Sequence, residues 1–525
     1  MLVASLALAA ALAGSPPDSV PLYDNLGDFH RKVTAAPIAQ RYFDQGLRLY
    51  YAFNHAEAIR AFEEGGRRDP RCGMCWFGVA LSYGPNINAP MDTAAVAPAW
   101  VALRKARRAV RYATPAERAL IGALTKRYTP TPPADRAKLD SAYAAAMLAV
   151  ARGYPADDDA QSLAAEAMMV LRPWNYWQRD GSPHPGTADL VARLERVMDR
   201  SPNHPGACHL YIHAVEAVTP EKAVPCAERL AALMPGAGHL VHMPGHIYIR
   251  VGRYADAIQA NEHAVHADES YISQEHPPLG IYTGGYYPHN YHFMAFAAQL
   301  AGRSAKAIEA ARIVSERIPL DVAKQVPFAQ PIVVFHQLEL QTFGRWDELL
   351  ALPLPRSDLR FAVALAHFSR GMAFAATGRT AEAEAALDTV TAVVRELPED
   401  DTRVSTRIGA LVLSAELAAR AGRTDEALTS LEEARELEDG MLYQEPPFWH
   451  QPVRNFLGAL LLKAGRPAEA EQRYREDLKR FPNNAWSLAG LAETLKAQGK
   501  ATEAAEAEAG LKQVGADATL VASRF

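Results

Sequence analysis

The sequence predicts an all-α chain, an α-solenoid of stacked antiparallel helix pairs interrupted by aromatic and proline-rich insertions. Three observations predict it. Apolar residues recur at helical spacing along most of the chain. A glycine followed by Arg or Lys returns at Gly252, Gly302, Gly344, Gly378, Gly422, Gly465 and Gly499, at intervals of 50, 42, 34, 44, 43 and 34 residues. Such periods mark helix pairs too small to bury an apolar face alone, which therefore stack and share a continuous core. Finally, 525 residues exceed what one compact core holds.

Composition narrows the function classes. A chain 49% hydrophobic and 22% charged is neither disordered, collagen-like nor a polytopic membrane protein. A formal charge of −5, from 55 basic and 60 acidic residues, leaves no basic footprint for nucleic acid. Four cysteines do not make a disulfide-stapled scaffold.

In chain order, residues 1–13 form an apolar run that ends at Ala11-Leu12-Ala13 and is followed by Gly14-Ser15-Pro16-Pro17. A bilayer needs about 20 apolar residues, so this run is read as a cleavable signal peptide and not as a membrane span. It lacks a basic n-region, since the first basic side chain is Arg31. A periplasmic or secreted location is expected. Residues 14–34 are expected to be extended, 35–515 to form a single solenoid with a histidine-rich region at 204–292, and 516–525 to form a tail.

Within the solenoid, Arg454 to Pro482 places Leu457, Gly458 and Leu461 on a first helix, with Ala470, Tyr474 and Pro482 at small, large and helix-ending positions. Tyr42 to Pro70 repeats the pattern through Gly46, Leu49, Ala58 and Phe62, and His239 to Asp268 through Gly245, Tyr248, Ala257 and Ala264. These units resemble tetratricopeptide repeats, and the chain from about residue 35 resembles secreted bacterial tetratricopeptide-repeat (TPR) proteins. The resemblance implies a superhelix whose first helices line a concave groove that binds a protein or peptide. One branch of the family clamps a C-terminal carboxylate with Lys, Arg and Asn. Here the corresponding central positions are histidines, so that clamp is not expected.

Eleven of the 17 histidines fall between residues 204 and 292. His209, His213 and Glu216, and likewise His239, His242 and His246, obey the spacing that puts side chains on one helix face. In repeat register, these histidines together with His289 and His292 occupy the positions that the resemblance assigns to the groove. Imidazole is the commonest neutral metal ligand near pH 7, and clusters of it read as metal sites. Copper is the first expectation and zinc the second. Glu216, Cys208 and Glu166 are further candidate ligands. A zincin motif is absent, because no Glu directly follows His209.

Four insertions, at 84–91, 172–177, 269–288 and 443–450, either wall a pocket or smooth irregular stacking. Trp174, Tyr176, Trp177, Tyr286, Tyr287 and Asn290 are the candidate wall residues. Cys72-x-x-Cys75 lacks the βαβ context of a redox motif, and helix packing, a local disulfide or soft-metal binding all remain open. Cys226 is expected to pack. The sequence thus points to an exported solenoid with a histidine-lined metal site, a metalloenzyme being left open. The alternative is a metal-free scaffold that binds a protein or peptide. No catalytic residue or substrate follows.

Overall fold

The computed structural model describes residues 20–517. Among the described residues every regular element is helical, and an isolated bridge between Trp177 and Pro183 is the sole β feature. The α-solenoid expected from the sequence is therefore what forms. The helices group into two compact units. One comprises the residues up to Ile247 together with Glu262–Tyr287, and the other Tyr248–Asn261 together with the residues from Pro288 onward.

The first unit opens with residues 20–36, which lack regular structure and are pinned to the first helix through Gln45, Asp44 and Arg48. It then builds α1 (Pro37–Tyr51), α2 (His55–Arg68), α3 (Gly73–Ser82), α4 (Val96–Ala109), α5 (Pro115–Leu124), α6 (Ala137–Gly153) and α7 (Asp158–Val170). Next come α8 (Thr187–Arg200), α9 (Pro205–Val215), α10 (Val224–Leu233) and α11 (Gly238–His242). Both α12 (Pro244–Arg250) and α13 (Tyr254–Glu275) run from one unit into the other.

Local chemistry sets the helix starts. Thr114 and Glu117 form a reciprocal capping box with Pro115 in the first turn of α5, and the Asn54 and Asp157 side chains accept the first free amides of α2 and α7. His204 is the N-cap of α9, its Nδ1 accepting from the Ala207 amide, with Pro205 following. Pro244 cannot donate a helical hydrogen bond, so the segment expected as one helix from His239 to His246 breaks into α11 and α12.

The second unit holds α14 (Tyr287–Leu300), α15 (Ser304–Arg317), α16 (Leu320–Gln325), α17 (Gln330–Val333), α18 (Phe335–Thr342) and α19 (Trp346–Ala351). These are followed by α20 (Arg360–Ala376), α21 (Thr380–Glu396), α22 (Asp401–Arg420), α23 (Thr424–Gly440), α24 (Val453–Lys463), α25 (Pro467–Arg480), α26 (Ala485–Ala497) and α27 (Ala501–Val514). From α20 onward, consecutive helices pack as hairpins. The seven recurring glycines all have φ between 65° and 78°, the left-handed conformation that ends a helix and reverses the chain.

No helix among the described residues is long and apolar enough to cross a membrane. The 1–13 run lies outside the described residues, as does most of the expected C-terminal tail.

Candidate metal centre

Five histidines of the first unit meet in a closed ring. Ring centroids are 5.1 Å apart for His209–His213, 5.1 Å for His213–His246 and 4.9 Å for His246–His242. The circuit closes through His242–His239 at 5.8 Å and His239–His209 at 5.0 Å. All five are buried, with exposures of 3% or less. Helix α9 contributes His209 and His213 one turn apart, while α11 and α12 contribute the other three across the Pro244 break.

Hydrogen bonds to the outer nitrogens fix the inner ones. His209 Nδ1 donates to the Tyr51 carbonyl at 2.7 Å, because a carbonyl oxygen only accepts. Glu216 Oε1 accepts from His213 Nδ1 at 3.0 Å, and Oε2 accepts from His246 Nδ1 at 2.6 Å. Each of these rings therefore presents the Nε2 lone pair, an arrangement in which a carboxylate or carbonyl orients a metal-binding imidazole. His246 Nε2 lies 3.0 Å from His242 Nε2. The Nε2 atoms of His209 and His213 and both ring nitrogens of His239 are buried without a hydrogen-bond partner.

Burial, reinforced by the neighbouring imidazoles, holds His209 and His239 well below the ordinary histidine pKa, so both are neutral. Burial also lowers His213, against the opposing pull of Glu216. Burial alone would raise the Glu216 carboxyl. The His246 and His213 rings outweigh it and bring the group down to about 2.

One ligand atom from each of His209, His213 and His239 lies within 4.8 Å of the others, and the same holds for His213, Glu216 and His246. Ligand nitrogens lie near 2 Å from zinc or copper, so two ligands of one ion stand at most about 4 Å apart, and a set spread up to 4.8 Å holds one ion only by drawing together. Glu216 sits within this geometry, where its two oxygens already serve His213 and His246.

The walls are aromatic. Trp174 meets His213 edge-on at 4.9 Å and lies 6.4 Å from His246, and Tyr286 lies 4.4 Å from His239. Trp177 Nε1 donates to the Ala214 carbonyl at 2.7 Å, tying its insertion to α9. Tyr176 is buried, and its own carbonyl accepts from Thr187. The Tyr287 hydroxyl donates to Glu269 at 2.7 Å.

Other expected residues have neighbours of their own. Glu166 takes the Tyr50 hydroxyl on both carboxylate oxygens, at 2.7 and 2.6 Å. Cys208 adjoins His209 in sequence, yet its Sγ meets Cys226, 2.8 Å away. Cys72 and Cys75 are joined in a disulfide at the start of α3. His289, Asn290 and His292 belong to α14 of the second unit. There His289 packs on Phe293 and His292 on Phe335, and burial lowers the His292 pKa to about 3.

Sequence reasoning missed three contributors. Phe53 lies 4.4 Å from His209 and stacks on His239 at 5.5 Å. Asn88 bridges the walls, accepting from Trp174 Nε1 at 3.2 Å and donating to the Tyr286 hydroxyl at 3.2 Å. The Tyr51 carbonyl orients His209. Phe53 and Trp174 also hold φ values of 56° and 63°, rare for side chains of this size, and Phe53 takes the left-handed turn that ends α1. The insertion at 84–91 was a signal for Asn88, whereas nothing in the spacing marked Phe53.

No curated protein matches the chain. Among solved structures, the human IFIT1 dimer with m7Gppp-AAAA is 11% identical, with 85% of this chain and 90% of that chain covered and a TM-score of 0.35. A structure of Naa15/Naa10 bound to HypK-THB is 12% identical over 91% of this chain and 70% of that chain, with a TM-score of 0.23. Neither likeness bears on a ligand. Residues 364–389, 409–433 and 451–476 match the family model of the tetratricopeptide repeat. The second unit thus carries tetratricopeptide repeats, modules that generally mediate protein interactions.

Proposed function

We propose that the first unit binds a transition-metal ion through His209, His213 and His239, with His242 and His246 completing the imidazole ring. The observation that carries this reading is the set of buried, inward-facing ring nitrogens without partners at His209, His213 and His239. Each such group costs roughly 1–3 kcal/mol when left unsatisfied, and a bound cation removes that cost. Neutral imidazoles oriented through their outer nitrogens are the donor set that copper and zinc favour. Copper is the first choice on affinity and zinc the second. A bound copper ion supplies a redox centre, and a zinc ion a Lewis acid.

The Cys72–Cys75 disulfide supports work in an oxidising compartment, the periplasm or outside the cell. The repeats at 364–476 support a second reading, in which that unit holds a protein or peptide partner. The two readings are compatible, because they concern different units.

Elemental analysis of untagged protein, alongside a His209→Ala/His213→Ala variant with unchanged helical circular dichroism, tests the metal reading. Copper or zinc at or above one equivalent, lost in the variant, supports it. No metal after reconstitution with either ion removes it and leaves the interaction scaffold.

A further inference from the structure

The sulphur atoms behind the imidazole ring play no part in the metal reading. Cys208, on α9, directly precedes His209, and its Sγ lies 2.8 Å from Cys226 Sγ on α10. Cys226 Sγ lies 3.1 Å from Met198 Sδ on α8 and takes a 3.5 Å contact from the Arg229 guanidinium. Both cysteines are buried. A covalent S–S bond is about 2.05 Å long, so the two sulphurs stand between bonding and ordinary contact with no atom between them. The same unit already contains one cystine, Cys72–Cys75.

We propose that Cys208 and Cys226 are a second oxidisable pair, joined as a disulfide during oxidative folding, which ties α9 to α10 immediately behind His209. The oxidant is a small-molecule or enzyme-borne disulfide. The thiolate of one of the two cysteines attacks one of its sulphurs and displaces a thiolate, forming a mixed disulfide. The thiolate of the other cysteine then attacks the protein sulphur of that mixed disulfide and displaces the second thiolate. Two protein thiols and one disulfide become one cystine and two thiols, so atoms and electrons balance.

The two sulphurs are already 2.8 Å apart, so closing the bond draws them together by only about 0.8 Å. Burial places the exchange before α9 and α10 close over the pair and shields the finished bond from reductant. The cystine would close an 18-residue separation and hold the base of the helix that carries His209 and His213. This inference does not depend on a metal being bound.

The test refolds the full chain in a mixture of reduced and oxidised glutathione, denatures it, alkylates it and maps the peptides by mass spectrometry. The expected result is a Cys208–Cys226 cross-linked peptide with neither residue alkylated, and quantitative alkylation of Cys208 in the Cys226→Ser chain. Full alkylation of both cysteines in parent chains whose Cys72–Cys75 bond is intact would overturn the proposal. So would copper(I) retained by thiols at Cys208 and Cys226, with Met198, in the His209→Ala/His213→Ala variant. The parent map decides the matter even where the serine variant folds poorly.

Discussion

The backbone carbonyl of Tyr51 accepts a hydrogen bond from His209 Nδ1 at 2.7 Å, across 158 positions of sequence. The end of the first long helix thereby decides which nitrogen of a distant imidazole faces the cluster. Tyr51 is itself held, because its hydroxyl donates to Asp159 at 2.5 Å and Asp159 accepts from Arg31 at 2.8 Å. A line of contacts thus runs from Arg31, near the start of the described chain, to the inner nitrogen of His209.

Gly206 tests that line. A Cβ at this position would lie 2.3 Å from the Tyr51 ring, so α9 approaches α1 only because no side chain intervenes. Gly206→Ala is expected to destabilise the protein by about 1–3 kcal/mol through overpacking and to lower metal affinity. Gly122, on α5, has open space where its Cβ would be, and Gly122→Ala is expected to leave stability unchanged or raise it by up to about 1 kcal/mol. Denaturant midpoints of the two variants check the contrast, and equal midpoints would dissolve the steric account.

Glu216→Gln keeps the shape and removes one acceptor. A carboxylate serves two Nδ1–H donors, whereas an amide offers one oxygen and one NH2 group. One of His213 and His246 must then turn over or lose its partner, which misdirects its Nε2. Metal affinity is expected to fall about 10–100-fold with the fold retained, measured by chelator competition. An unchanged affinity would show that Glu216 orients nothing.

Acid should loosen the Arg31 anchor. Burial alone would raise the Asp159 carboxyl, but His204, Arg31 and the Tyr51 hydroxyl outweigh it and hold the group well below the usual carboxylate range. Its folded pKa is thus lower than its unfolded one, so the stabilisation is complete above about pH 4 and is lost as pH falls toward the folded value. Asp159→Asn is expected to be less stable near neutrality and to show a shallower loss of stability below about pH 4. Urea midpoints of both chains across that window provide the measurement.

A bound ion stabilises the state that binds it. At a free metal concentration one hundred times the dissociation constant, the gain is about 2.7 kcal/mol, so the thermal midpoint should rise with added copper or zinc and fall again with chelator. The His209→Ala/His213→Ala variant should show neither shift. A midpoint indifferent to metal in the parent chain would count against the site.

The sequence by itself determined the helical class and the turns, since both are local. Gly378 and Gly422 end helices because left-handed φ suits a residue without Cβ, and this shows in their recurrence. It also put His209 with His213 and His239 with His242 on shared faces, because helical periodicity is a property of neighbours. Only the tertiary structure decided the rest. Pro244 broke a segment that spacing alone treated as one helix, and five imidazoles closed into a ring across that break. Phe53 and Asn88 joined the walls, Glu166 went to Tyr50 and Cys208 to Cys226. The inner nitrogens were fixed by the Tyr51 carbonyl and the Glu216 carboxylate, partners in different elements. The physical reason is that tautomer, burial and ligand distance depend on contacts between residues far apart in the chain, and such contacts impose no period on the sequence.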